Sequence, residues 1–164
     1  MGVKSGGFGI LGWVLMIPAV VVVFLILAFG FFEGRKAYWE DKVREMCEKD
    51  GGERVFETVR LNRQQYSLIL NQFGQVSPPL ENKAGDNVPI VRRFTSTYIR
   101  RNDPEVRRDE LVVIRRSDEK VLGVSVSYSR VGGDLIALHP SNFSCPEKSK
   151  DIFSAIVRPN EEQK

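Results

Sequence analysis

Phe8-Gly-Ile-Leu-Gly-Trp-Val-Leu-Met-Ile-Pro-Ala-Val-Val-Val-Val-Phe-Leu-Ile-Leu-Ala-Phe-Gly-Phe-Phe32 carries no charged side chain. As a helix rising about 1.5 Å per residue it reaches about 37 Å, enough to cross a hydrocarbon core of about 30 Å with some tilt. A lone segment in lipid must satisfy its own backbone, so a helix is the form open to it. Pro18 lies inside the run and predicts a mild kink rather than a break. Trp13 near one end, with Tyr38 and Trp39 past the other, match interfacial aromatics. The rest of the sequence has no second apolar run of this length to bury it as a core helix. A cleaved signal peptide is the competing reading, because Ala28-Phe29-Gly30 has the small-residue spacing of a cleavage site. Against it, only Lys4 charges the N-terminal side, and the run exceeds the usual apolar stretch of about 7–15 residues. A retained anchor is therefore expected.

Working outward, the 164 residues hold 24 Lys or Arg, 21 Asp or Glu, one His and two Cys. That composition excludes a disordered chain, a collagen-like chain and a disulfide-dense miniature scaffold. It matches one domain plus an anchor. The layout expected is a short tail at 1–7, the membrane helix at 8–32, a juxtamembrane helical stalk at 33–50, a soluble α+β domain at 51–158 and a polar tail at 159–164. The stalk follows from Glu33 to Lys49, which has no Pro and no Gly after Gly34, and Gly51-Gly52 ends it.

Inside the soluble part, 54–61 is rich in β-formers. Asn62 and Gln65 have the spacing of a capping box. Tyr66, Ile69, Leu70 and Phe73 follow at helical spacing, with Gly74 as the stop. A short amphipathic helix over 63–73 is expected. Three strands are then expected at about 90–101, 108–116 and 121–130, the last from alternation of Leu122, Val124, Val126 and Tyr128 with Gly and Ser. The stretch 132–150 reads as irregular and 152–158 as a final strand. The fold class is α+β: one N-terminal transmembrane helix with a stalk, then a small antiparallel sheet with one packed helix.

Arginine doublets stand at Arg92-Arg93, Arg100-Arg101, Arg107-Arg108 and Arg115-Arg116. In one hairpin register Arg92 opposes Arg116, Arg93 opposes Arg115, Arg100 opposes Arg108 and Arg101 opposes Arg107. Like charges in that position repel, so the register requires a screening acid, a bound anion or a shift. The bland reading is a set of strand-end and edge charges that guard against aggregation. The functional reading is a surface for an anionic partner, since the guanidinium fork engages oxyanions bidentately. Nucleic acid does not fit, because no aromatic RNA motif or groove-reading helix accompanies the arginines. Catalytic and cofactor signatures are missing as well. His139 is the single histidine, Cys47, His139 and Cys145 lack the paired spacing of a zinc site, and no thiol-redox, nucleophile-elbow or phosphate-loop motif occurs. No enzyme activity, metal or cofactor is expected.

Cys47 opens the soluble part and Cys145 comes near its end. Either both are free thiols or they close one large loop, which requires an oxidising compartment. The flanking cations argue the other way: Arg35, Lys36, Lys42 and Arg44 on the domain side outnumber Lys4, and the positive-inside rule would hold the domain in the cytoplasm. The expectation adopted is a bacterial inner-membrane protein with its domain in the periplasm.

The segment Cys47-Glu-Lys-Asp-Gly-Gly-Glu-Arg-Val-Phe-Glu-Thr-Val59, with Ser144-Cys145-Pro146, resembles short membrane-anchored or lipid-modified envelope proteins of proteobacteria. That resemblance implies that both cysteines belong to one framework, and it implies no activity. Lys4-Ser5-Gly6-Gly7 followed by Phe8 is similar to the leader junction of type IV pilins, although Gly12 stands where that pattern carries Glu. The pilin likeness implies a helical spine, an antiparallel sheet and a late disulfide. The functional expectation is a non-enzymatic anchored envelope protein whose domain binds or scaffolds an unidentified protein or anionic envelope component. A pilin-like minor subunit and a cytoplasm-facing accessory subunit of a membrane complex are the alternatives.

Overall fold

The computed structural model describes residues 10–134, 140–147 and 151–160, with side chains from Met16 onward. His139, both terminal tails as far as Gly9 and from Glu161, and the zinc grouping that needs His139 lie outside the described residues.

α1 runs unbroken from Ile10 to Asp50 and includes Pro18. It is long and apolar enough to cross a membrane, and its apolar part is unburied by the rest of the chain. Its second part is different. Arg35, Lys36, Trp39, Glu40, Val43, Met46, Cys47 and Asp50 recur every three or four residues, which places them on one helical face. That face lies on a sheet, with Val43 and Cys47 buried against Val106, Val126 and Tyr128. The expected stalk is thus helical, and the domain's second hydrophobic cluster is built on it.

The sheet contains β1 (Gly52–Val55), β3 (Ile90–Arg100), β4 (Glu105–Arg115), β5 (Lys120–Val131) and β6 (Asn142–Cys145). Its order is β1-β5-β4-β3, with β6 also pairing β5. All pairings are antiparallel. β1 covers the Gly123–Val126 part of the outer edge of β5, and β6 covers Tyr128–Val131. A second, parallel pair joins β2 (Val59–Leu61) to β7 (Val157–Pro159).

Alternation along β5, interrupted by a register shift at Leu122, sends its side chains to two faces. Val126 and Tyr128 meet α1. Gly123 meets α3 (Ile152–Ile156), where an added Cβ would come within 2.7 Å of Ile156 Cδ1 and 2.9 Å of the Arg54 carbonyl oxygen. Glycine is what lets α3 lie this close to the sheet. The main cluster on that side gathers Leu61, Ile69, Ile90, Val91, Val113, Leu122, Ile152 and Ile156. The molecule is α+β, with the sheet between the end of α1 and a layer made by α3, β2, β7 and the connecting loops.

Three expectations are corrected. The helix after Asn62 is α2, Arg63–Ser67 only; its capping box is present, but the chain then turns. The Asn71 side chain accepts from the backbone N–H of Phe73 and Gln75, and Leu70 bridges Val76. A side chain that satisfies turn amides competes with the helix, and Phe73 is left 76% exposed instead of packed. The segment at 152 begins as a helical turn, because Asp151 caps the N–H of Phe153, and only Val157–Pro159 is strand. Within 132–150, read as irregular, Asn142–Cys145 is a strand.

Candidate functional site

The expected arginine ladder is displaced by three residues. β3 and β4 pair Val91 with Ile114, Arg92 with Val113, Arg93 with Val112, Thr97 with Arg108 and Tyr98 with Arg107. No doublet faces another. This register buries Ile90, Val91, Val113 and Ile114 together, which the ladder register would separate, and it avoids four like-charge oppositions.

The eight arginines then divide by partner. Arg93 holds Glu81 through two bonds of 2.8 and 3.0 Å. Arg107 pairs with Asp109 at 3.1 Å. Arg108 donates to Asp50, Glu110 and the Tyr128 hydroxyl. Arg115 spans Glu57 and Asp118, and Arg116 reaches Asp86 and the carbonyls of Ala84 and Gly85. Arg100 donates to the carbonyls of Asp103 and Pro104 and lies over the Trp39 ring. Arg92, over Phe153, and Arg101, over Tyr98, form no ion pair with a described residue. Glu57 is held below its usual range by Lys120 and then Arg115, and Asp118 is lowered by Arg115. Five of the eight, Arg93, Arg107, Arg108, Arg115 and Arg116, are therefore internal ties to a nearby acid, whereas Arg92, Arg100 and Arg101 are not.

Among the described residues two like-charge oppositions do occur: Arg115 faces Lys120 across the β4–β5 turn, where both pair with Glu57, and a second lies at a place the sequence did not suggest. Arg60 of β2 lies opposite Arg158 of β7, both exposed and neither in an ion pair with a described residue.

The most organised polar constellation is the clamp between α1 and the sheet. Near the apolar end of α1, Arg35 donates to Asp103 at 2.7 Å. Beside it, five residues form a chain of contacts whose two ends, Lys36 and Glu40, stand four residues apart on α1. Lys36 approaches Asp134 at 3.5 Å, and Asp134 accepts from the Ser141 amide and hydroxyl. Arg130 donates to the Ser141 hydroxyl at 3.1 Å and to Glu40 at 2.8 Å. The Ser141 bonds and then Lys36 hold Asp134 below its usual range. Arg130 is 1% exposed and also donates to the Gly132 carbonyl. Further along, the sulfurs of Cys47 and Cys145 lie at disulfide distance, with Cα atoms 6.0 Å apart. At the helix end, Tyr128 donates its hydroxyl to Asp50 at 2.6 Å.

Arg130 and Glu40 were not singled out by sequence. The available signal was the helical recurrence of Trp39, Val43, Met46 and Cys47, which marks a packed face within a charged segment. Among the described residues no group of three or more His, Cys, Asp or Glu is placed to hold a metal ion. One cavity among the described residues is lined by Asn62, Arg63, Gln64 and Ser67.

β3 is the free edge of the sheet. From Arg93 to Ile99 it is exposed on both faces, and Phe94, Tyr98 and Ile99 are among its exposed side chains. Among the described residues, backbone contact with its outer edge is made at Arg92, whose N–H donates to the Pro79 carbonyl and which bridges Leu80.

No protein-family model matches the chain, and no curated protein or solved structure matches it significantly.

Proposed function

We propose that the chain is a non-enzymatic, single-pass envelope protein of a bacterial inner membrane whose periplasmic domain scaffolds a protein partner along β3. The observation that carries this reading is the joint between anchor and domain. α1 continues without interruption from its apolar part into the sheet's own core. A domain joined in that way is presented to neighbours in one orientation, which suits a scaffold. The surface offered is an eleven-residue edge strand, paired on one side, with unpartnered backbone groups and exposed Phe94, Tyr98 and Ile99. Edge strands left long and open are the usual acceptors for an added strand. Arg92 on this strand, without an acid partner, gives it a positive bias, so an extended segment carrying acids is the partner chemistry favoured.

The test is a photo-crosslinking residue at Thr95 or Thr97, with Glu119 as control, in native membranes. A discrete protein adduct at β3 that disappears in a Phe94→Asp, Tyr98→Asp variant of unchanged thermal midpoint is expected. Equal labelling at Glu119, or no adduct at β3, would overturn the proposal. Compartment is read separately: Cys47–Cys145 migrating as an oxidised pair in protein taken from its native membrane supports the periplasmic side.

A second reading, a pilin-like minor subunit, is favoured by a specific observation: the C-terminal part of one long N-terminal helix lies on an antiparallel sheet. It expects a mature protein beginning at Phe8, which intact-mass measurement decides.

A further inference from the structure

We infer that the β3–β4 end of the sheet rests in the phospholipid headgroup layer, with Ile99, Arg101 and Asn102 as its lipid contacts. This inference rests on the proposal that α1 crosses the bilayer. The Arg35 guanidinium lies 5.0 Å from the centre of the Phe32 ring and 5.9 Å from that of Phe31. The same guanidinium holds Asp103, in the turn between β3 and β4, at 2.7 Å. One side chain thus ties the turn to the last residues of the apolar run. From Phe32 to Arg35 the helix advances about 4.5 Å. A headgroup layer is roughly 5–7 Å thick on each side of the hydrocarbon. The turn therefore falls at headgroup height.

The direction of the sheet follows from the same clamp. Along α1 the partners on β4 and the turn before it advance from Asp103, at Arg35, to Arg108, at Asp50. Helix and strand run in one general sense, so the β4–β5 turn at 116–119 points away from the lipid. Eleven residues of β4 place that turn about 35 Å farther out. The chain of contacts from Lys36 through Asp134, Ser141 and Arg130 to Glu40 holds this orientation.

The chemistry of the tip suits the interface. Ile99 and Tyr98 are 45% and 44% exposed, and Arg101 is exposed with its guanidinium 5.4 Å from the Tyr98 ring centre. An aromatic and an aliphatic group beside an arginine without an acid partner match the boundary, where apolar atoms meet acyl chains and guanidinium meets phosphate. Pairing of two β3 edges as an antiparallel dimer does not compete for the same bilayer. Its two-fold axis stands perpendicular to the sheet, and it would reverse the α1 of one copy against that of the other.

The full chain, oxidised and placed in nanodiscs of three parts phosphatidylethanolamine to one of phosphatidylglycerol, provides the test. Nitroxide labels at Asn102→Cys, Glu119→Cys and Val22→Cys are read for depth from oxygen and nickel-chelate accessibility. Phosphate-level depth at 102, aqueous behaviour at 119 and hydrocarbon at 22 are expected. Hydrocarbon at 22 with 102 as aqueous as 119 would overturn this inference alone; aqueous behaviour at 22 would overturn the spanning reading and the inference with it. A benzophenone residue at 102 needs no added thiol: a lipid adduct in native membranes supports the contact, and a protein adduct in its place overturns it.

Discussion

Arg130 is a fully buried cation at the joint between helix and sheet, and its pairing decides what substitutions there do. Its head group meets Glu40, Ser141 and the Gly132 carbonyl, while Nε has no partner among the described residues. Removing one partner of a buried pair strands the other charge, whereas replacing both with apolar groups removes the desolvation cost as well. Glu40→Ala is therefore expected to cost about 2–4 kcal/mol, and the double variant Glu40→Leu, Arg130→Met well under half of that. Urea unfolding of the detergent-solubilised chain, followed by tryptophan fluorescence, measures both; equal losses would show that the ion pair is not the source. The opposite case is Arg60 against Arg158, where like charges face each other in the open. Arg158→Glu should raise stability by about 0.2–1 kcal/mol, an effect that fades with added salt. A loss of stability at low salt would contradict the pairing of β2 with β7.

α3 and β5 make contact through a missing side chain, and Gly123 carries the next prediction. An added Cβ meets both a movable methyl of Ile156 and the fixed carbonyl of Arg54, so Gly123→Ala must push α3 or β1 aside. A loss of about 1–3 kcal/mol is expected. Gly30→Ala, inside α1 with nothing within 4 Å, meets no such clash and should show no comparable loss in the same unfolding experiment. Legibility in sequence varied from element to element for physical reasons. β3, β4 and β5 announce themselves by length and alternation, and the apolar part of α1 by its run of uncharged residues. β6 has only Asn-Phe-Ser-Cys to show; what makes it a strand is the uncovered half of β5 and the nearness of Cys145 to Cys47, both facts about distant residues. α3 is hidden because Ile152 and Ile156 favour a strand by propensity, while the Asp151 cap and a floor of Gly123 favour a turn of helix. The eight arginines were visible as doublets, but their partners were not, because a shift of three residues in one hairpin decides whether a doublet meets uncharged residues or another doublet.

Ion pairs join separate parts of the whole chain, and acid should expose that dependence. Glu57, between β1 and β2, is held by Lys120 and Arg115 on either side of the β4–β5 turn. Asp134, in the β5–β6 connection, meets Lys36 of α1 directly and accepts from Ser141. Both carboxyls, with Asp118, are depressed in the folded chain relative to their ordinary values. A depressed carboxylate contributes stability that is fully present above its unfolded pKa and is lost as pH falls through the folded one. The thermal midpoint should therefore be flat from about pH 7 to 5 and decline below about pH 4.5, where unfolded Asp and Glu begin to take up protons. Glu57→Gln should flatten part of that decline while lowering the midpoint at neutral pH. Because Asp118 is exposed and Glu57 and Asp134 are partly so, the effect should shrink in high salt. A midpoint that falls equally in wild type and in the Glu57→Gln, Asp118→Asn double variant would place the acid sensitivity elsewhere. Differential scanning calorimetry across the pH series at two salt concentrations separates these outcomes.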